Sequence, residues 1–271
     1  MFRPPPPPRV GTTQRKAEVD ECLHFNATLS PEQKAIVEFM RDGPRSTGQS
    51  GHWLRFAQAA SRRDRYDMDR DIKLYFCVAN SAMDAFIAAW ESKRYDDSSR
   101  PWTLIRHYDR DQPIVGWLGP GRGGGRITGA QRIPSSPATF ITPPFPGYVS
   151  GHSAVSGACA TILERFTGSD QFGDEEVRLA GSETERGYAC AAMQSVQGRA
   201  PVAAAENCRV TLPLPTFSAV AEMAGISRVM GGYHIQADNV AGLHLGRTVA
   251  AHLWPKCQAY FDGTARGSSA R

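Results

Sequence analysis

Ala79, Ala82, Met83, Phe86, Ile87 and Trp90 recur at i, i+3, i+4, i+7, i+8 and i+11. Only a helix puts residues so spaced on one stripe, because its period is 3.6 residues. A second stripe, Ala154, Val155, Ala158, Cys159, Ile162, Leu163 and Phe166, repeats the pattern before Gly168, a residue suited to a helix C-terminus. Two long helices that each need a cover predict an all-α fold, a helical bundle.

Shorter helices fill in around them. Ser30-Pro31-Glu32-Gln33 reads as a capping box with Pro at the first helical position, leading into Ile36, Val37, Phe39 and Met40 before Gly43-Pro44 stops the helix. A second helix is expected over about Trp53 to Arg63, and the Ala79–Trp90 helix should end near Lys93. Arg100 to Val149 is rich in Pro and Gly, with GRGGGR at 121–126, and reads as one long irregular loop of the kind that carries function. Pro213–Pro215 precede a helix at about 216–228, and a last helix over about 234–254 is expected to close at Pro255. Residues 168–210 resist assignment, and neither a strand pattern nor an internal repeat stands out. The domain reading is a proline-containing extended lead-in over 1–28, one bundle over 29–258 and a loose tail over 259–271.

Composition narrows the function classes. Hydrophobic residues make up 41% of 271, enough for a core. The 31 Lys and Arg against 27 Asp and Glu leave +4, too little to imply nucleic acid as partner. No apolar run is read as long enough for a membrane span, and MFRPPPPPRV lacks the apolar core of a secretory signal, so a soluble, by default cytoplasmic, protein is expected. The six cysteines are scattered without C-x-x-C, consistent with buried thiols, although Cys190 and Cys208 flank one stretch and could pair in an oxidant.

Three clusters carry chemistry. In KRYDDSSRP (93–101), Lys93 and Arg100 follow an apolar helix; on its own this is a helix end and a solvated loop. In FPGYVSGHSAVSG (145–157), Ser150 can cap a helix whose first-turn amides favour an anion, with His152 beside them. In SRVMGGYHIQADN (227–239), His234 and Asp238 share a helix face, so the carboxylate can fix the imidazole tautomer and free its other nitrogen, and Arg228 lies one turn upstream.

Together, Lys93-x6-Arg100-Pro101, Ser150-Gly151-His152 and Ser227-Arg228-x5-His234-x3-Asp238 resemble the three-part signature of the vanadium-dependent haloperoxidase and type 2 phosphatidic acid phosphatase superfamily. Residues from about Leu29 to Trp254 are similar to the C-terminal, active-site half of the soluble haloperoxidases. The resemblance implies vanadate as cofactor, or none in a phosphatase. Lys93, Arg100 and Arg228 would surround the oxyanion, with Ser150 and the Gly151 amide bonding further oxygens. His234 would bond vanadium or phosphorus, Asp238 would orient it, and His152 would move protons opposite. Lys93 would also polarise bound peroxide. Trp90 and Phe145 fall where the family lines the halide side, although Trp90 also suits plain core packing.

The resemblance leaves two activities open: oxidation of halide by hydrogen peroxide, or hydrolysis of a phosphate ester through a phosphohistidine on His234. Two departures stand out. Val149 replaces the usual Pro before the serine. The soluble enzymes also carry an extra N-terminal helical half, so this sequence reads either as a compact single-bundle relative or as a truncated product, for which an exposed apolar face and a homodimer through it or aggregation are expected. A zinc hydrolase would need three ligands, and no H-E-x-x-H occurs. A non-catalytic interaction domain is the remaining alternative.

Overall fold

The structure is a computed structural model that describes residues 2–43, 46–136, 140–184 and 209–265. It is mostly helical, with α6 (Gly151–Thr167) at its centre. Nearly every residue of α6 up to Leu163 is buried, as expected of a helix whose small and apolar residues run all the way round. It packs against α4 (Met68–Asp96), α7 (Phe217–Met230) and α8 (Gln236–Phe261), with α3 (Gly48–Asp64) at its side. The α6/α8 contact is very close. A Cβ on Gly246 would fall inside contact distance of the Ala154 carbonyl and 2.7 Å from the Ala158 amide, so only glycine fits there.

Several expectations hold. The Ser30/Gln33 capping box opens α2 (Pro31–Phe39), and Gly168 ends α6 in the left-handed region at φ 81. Others need correction. Residues 13–28, assigned to an extended lead-in, form α1 (Thr13–Thr28), capped by Thr12. Its buried face includes Arg15 and Asn26 beside Val19, Cys22 and Leu23, so no apolar stripe announced it. Arg15 Nη2 donates across the fold to Ser98 Oγ at 2.8 Å and the Ser99 carbonyl at 3.2 Å, while its buried Nε and Nη1 have no hydrogen-bond partner among the described residues.

The loop read over 100–149 contains α5 (Pro101–Asp109), an antiparallel hairpin of β1 (Pro113–Trp117) and β2 (Gly124–Thr128), and a 3-10 turn at Gly129–Gln131. The irregular stretch is therefore shorter. A second hairpin pairs β3 (Gln171–Leu179) with β4 (Arg209–Thr216), so Pro213 and Pro215 sit in a strand that has only one partner. Pro255 lies inside α8, which runs on to Phe261 and takes residues 259–261 out of the tail. The carbonyl that Pro255 leaves unbonded belongs to Ala251, an exposed residue. Cys190 and Cys208 lie outside the described residues.

The largest correction concerns α4. Its buried face is Leu74, Cys77, Val78, Ser81, Ala82, Ala85, Ala89, Ser92 and Lys93, mostly small residues that allow close packing on α6. The large residues of the sequence stripe point outward: Met83 and Ile87 are 53% and 63% exposed, and Trp90 is 42% exposed rather than packed in the core. By length and composition residues 68–109 include a window apolar enough to cross a membrane, contrary to the sequence reading, with 39% of it buried in the fold.

Candidate active site

The functional candidates come from four helix ends that meet beside the 140–149 loop. Lys93 sits in the last turn of α4, Arg100 caps α5, Ser150 caps α6, and Arg228 ends α7 shortly before α8 begins at Gln236. Each motif thus lies where a rigid element stops, and the bundle brings the three clusters together.

His234 is buried, and its Nδ1 lies 2.9 Å from Asp238 Oδ2. A carboxylate only accepts, so Nδ1 carries the proton and Nε2 keeps its lone pair. That lone pair accepts a hydrogen bond from Arg100 Nη1 at 3.3 Å at the edge of the cavity. The Asp238 oxygen also accepts from the Ile235 amide at 3.3 Å, which ties the side chain to the start of α8. Burial, then the charges of Arg100, Lys93 and Arg228, hold His234 well below the usual histidine range, so the ring is neutral. Burial pushes the Asp238 carboxyl up, against the pull of Arg15 and Lys93.

His152, in the first turn of α6, is held differently. Its Nδ1 lies 2.9 Å from the Gln49 Nε2 amide, which donates, and its Nε2 lies 3.2 Å from the Arg41 carbonyl, which accepts. His152 therefore carries its proton on Nε2, the opposite tautomer to His234. Asp42 Oδ2 stands 3.8 Å from that Nε2. Burial and Arg228 push the ring down to about 3.

Three cations complete the cluster. Lys93, 2% exposed, donates to the Pro146 and Gly147 carbonyls at 2.8 Å each, and burial followed by the charge of Arg100 pushes it down to about 7. Arg100 donates to the carbonyls of Phe145, Pro146 and Tyr233, and burial brings it to about 10. Arg228 donates to the Arg41 and Val37 carbonyls, while its buried Nε has no hydrogen-bond partner among the described residues. Asp238 Oδ1 is likewise buried without one among them. Ser150 Oγ accepts from the Ser153 amide at 3.3 Å, and the Ser150 amide donates to the Asp238 carbonyl at 2.9 Å. A Cβ on Gly151 would lie 3.2 Å from the Trp90 ring. The Trp90 and Phe145 rings are 5.2 Å apart, with Lys93 Nζ 5.7 and 5.5 Å from their centroids. The Tyr148–Val149 peptide before the serine is cis.

A cavity of about 290 Å³ opens between these groups. Arg100, Arg228, His152, His234 and Phe145 line it, with Asp42 and Tyr233. Lys93, Ser150, Gly151, Asp238 and Trp90 stand behind or beside these lining groups. Lys93, Arg100 and Arg228 outnumber the two carboxylates, Asp42 and Asp238, in a site largely removed from water. An anion is the natural complement.

Sequence reasoning missed Asp42, Gln49 and the Arg41 carbonyl around His152. His52 bonds Asp42 Oδ1 through Nδ1 at 3.0 Å. Asp42 takes φ 52, a left-handed turn just past α2. An Asp-Gly pair after a helix was the one available signal, and it points to a turn rather than to a site. Among the described residues no group of three metal-ligating side chains occurs, so the zinc reading finds no support.

Residues 73–263 match the model of the VCPO second helical-bundle domain. The chain is similar to a solved bacterial vanadium-dependent chloroperoxidase in its holo form, at TM-score 0.77 and 22% identity, over 96% of this chain and 51% of that one. It is also similar to the first bacterial vanadium-dependent iodoperoxidase, at TM-score 0.67 and 23% identity, over 94% and 53%. The chain thus spans about half the length of these relatives. No curated protein matches it.

Proposed function

The chain belongs to the vanadium-dependent haloperoxidase superfamily, through the second helical-bundle domain of its chloroperoxidases, and from that premise we propose that it binds vanadate and oxidises a halide with hydrogen peroxide. One observation carries the reading. A buried imidazole turns its unprotonated Nε2, held by Arg100 at 3.3 Å, toward a cavity beside three buried cations that two carboxylates offset.

The residues present fit vanadate. The unpartnered Nε of Arg228 and the charge excess call for a ligand rich in negative oxygens, and guanidinium forks suit tetrahedral oxyanions. His234 Nε2 would hold vanadium, and Lys93, Arg100, Arg228, Ser150 and the Gly151 amide would hold its oxygens. When bound, vanadate supplies a Lewis-acidic centre that activates peroxide toward halide. Asp238 keeps the proton on His234 Nδ1, so that Nε2 stays available. His152, with its proton on Nε2, exchanges protons with peroxide on the opposite side. Lys93 supplies a positive charge, and the Trp90 and Phe145 rings beside it offer an aromatic surface suited to a weakly hydrated halide.

A monobromodimedone bromination assay with added orthovanadate tests this, and vanadate-dependent bromination is the expected result. Folded protein that hydrolyses p-nitrophenyl phosphate without brominating would instead assign the site to phosphate ester hydrolysis, with His234 Nε2 attacking phosphorus and His152 protonating the leaving oxygen. Neither activity would reject both.

A further inference from the structure

The outer face of α4 is an apolar seam without a cover. Ile72, Phe76, Ala79, Met83, Ile87 and Trp90 follow one another at intervals of three or four along a 29-residue helix. All six are exposed, Ile72 and Ile87 each to 63%. Single exposed apolar residues are ordinary, but a continuous line with this spacing is the seam of a helix–helix contact.

We propose that the occupant is α4 of a second copy, packed antiparallel to give a two-fold dimer. The charges that border the seam decide both occupant and direction. Asp69 and Lys73 lie at its N-terminal end, and Glu91 and Arg94 at its C-terminal end. Running antiparallel, Asp69 of one copy meets Arg94 of the other, and Lys73 meets Glu91. A parallel pairing sets each charge against its own kind. The same register sets Ile72 against Trp90 and brings Ala79 opposite Met83, so a small residue sits where the helices cross most closely. The seam is therefore complementary to itself. Glu91 already holds Arg3, which lies to the side of the seam over Tyr95, so the N-terminal arm leaves the line of apolar residues open. Trp90 belongs to the seam and packs on Phe145, which lines the cavity, so the contact lies beside the site without depending on what the site does.

Sedimentation equilibrium of the full chain tests the proposal, and a dimer at micromolar concentration is expected. Ile87→Glu should give a monomer. Asp69→Arg alone should weaken the dimer severalfold, and Asp69→Arg with Arg94→Asp should restore it, an outcome that does not depend on how Ile87→Glu folds. A chain that stays monomeric at every concentration overturns the proposal. So does a monomer that partitions onto phosphatidylcholine vesicles, which would put a membrane on this face, or a dimer that Asp69→Arg alone leaves untouched.

Discussion

Two histidines face one cavity and are built in opposite ways. His234 donates a hydrogen bond from Nδ1 to a carboxylate 2.9 Å away and turns an unprotonated Nε2 toward Arg100 and the cavity. His152 accepts a hydrogen bond from the Gln49 amide at 2.9 Å and keeps its own proton on Nε2, against the Arg41 carbonyl. His234 is buried and His152 half-buried, and both are kept neutral, so charge does not distinguish them. Their hydrogen-bond partners do. An acceptor behind a ring makes its far nitrogen an electron-pair donor, and a donor behind it leaves the far nitrogen as an N–H hydrogen-bond donor. Under the proposed reading the first would serve as ligand or nucleophile, and the second would take part in proton transfer.

Removing His234 should break this division most severely. His234→Ala is expected to lower turnover by about 10³-fold or more and to weaken vanadate binding, with the fold intact by circular dichroism. His152→Ala should lower turnover by about 10²–10⁴-fold while leaving vanadate affinity nearly unchanged, since it is assigned proton transfer and not the bond to the central atom. Parallel kinetics and vanadate titrations separate the two. Equal losses of affinity in both variants would mean that the histidines share one role. Asp238→Asn comes next, with affinity reduced by about 10–100-fold, because an amide can present a donor to Nδ1 and reverse the tautomer.

Lys93 gives a pH-dependent version of the comparison. Its folded pKa, about 7, lies below the ordinary lysine value, so the free site favours the neutral amine above pH 7. A bound anion favours the charged form. Phosphate binding at pH 8 should therefore take up close to one proton at Lys93, and less at pH 5, where the amine is already charged. Calorimetry in buffers of different ionisation heat reads the proton count. Uptake at pH 8 that survives in Lys93→Met would assign the proton to His152 instead.

What the sequence made legible follows from where each signal resides. Lys93, Arg100, Ser150, His152, Arg228, His234 and Asp238 lie near helix ends, within short motifs whose spacing survives unaided. The partners of His152 do not. Gln49 is in the first turn of α3 and Asp42 in a turn after α2, about a hundred residues before the histidine they serve, and neither belongs to a motif. Helix α4 was legible as a helix but turned the wrong way round. Its close contact with α6 requires Ala, Ser and Cys, which carry little hydrophobic signal, while its large residues lie on the opposite face. Helix α1 was invisible because a buried arginine and a buried asparagine interrupt its inner face.

The smallest effect sharpens the comparison most finely. Asp42 is to His152 what Asp238 is to His234, but at 3.8 Å and on the nitrogen that faces the Arg41 carbonyl. Burial pushes the Asp42 carboxyl up, yet the hydrogen bond from His52 and the surrounding histidine and Arg228 side chains outweigh it and leave the group below the usual carboxylate range. A depressed carboxylate stabilises the fold above its unfolded pKa, and that contribution disappears as pH falls through the lower folded value. Asp42→Asn should therefore cost about 1–2 kcal/mol at pH 7 and progressively less toward pH 3, read from denaturant midpoints. Asparagine accepts the left-handed φ of 52 well, so the substitution removes charge without adding backbone strain. Turnover should fall by less than about tenfold, because the Gln49 and Arg41 contacts that set the His152 tautomer remain. A loss as large as that of Asp238→Asn would mean that a carboxylate, and not the amide, governs both rings.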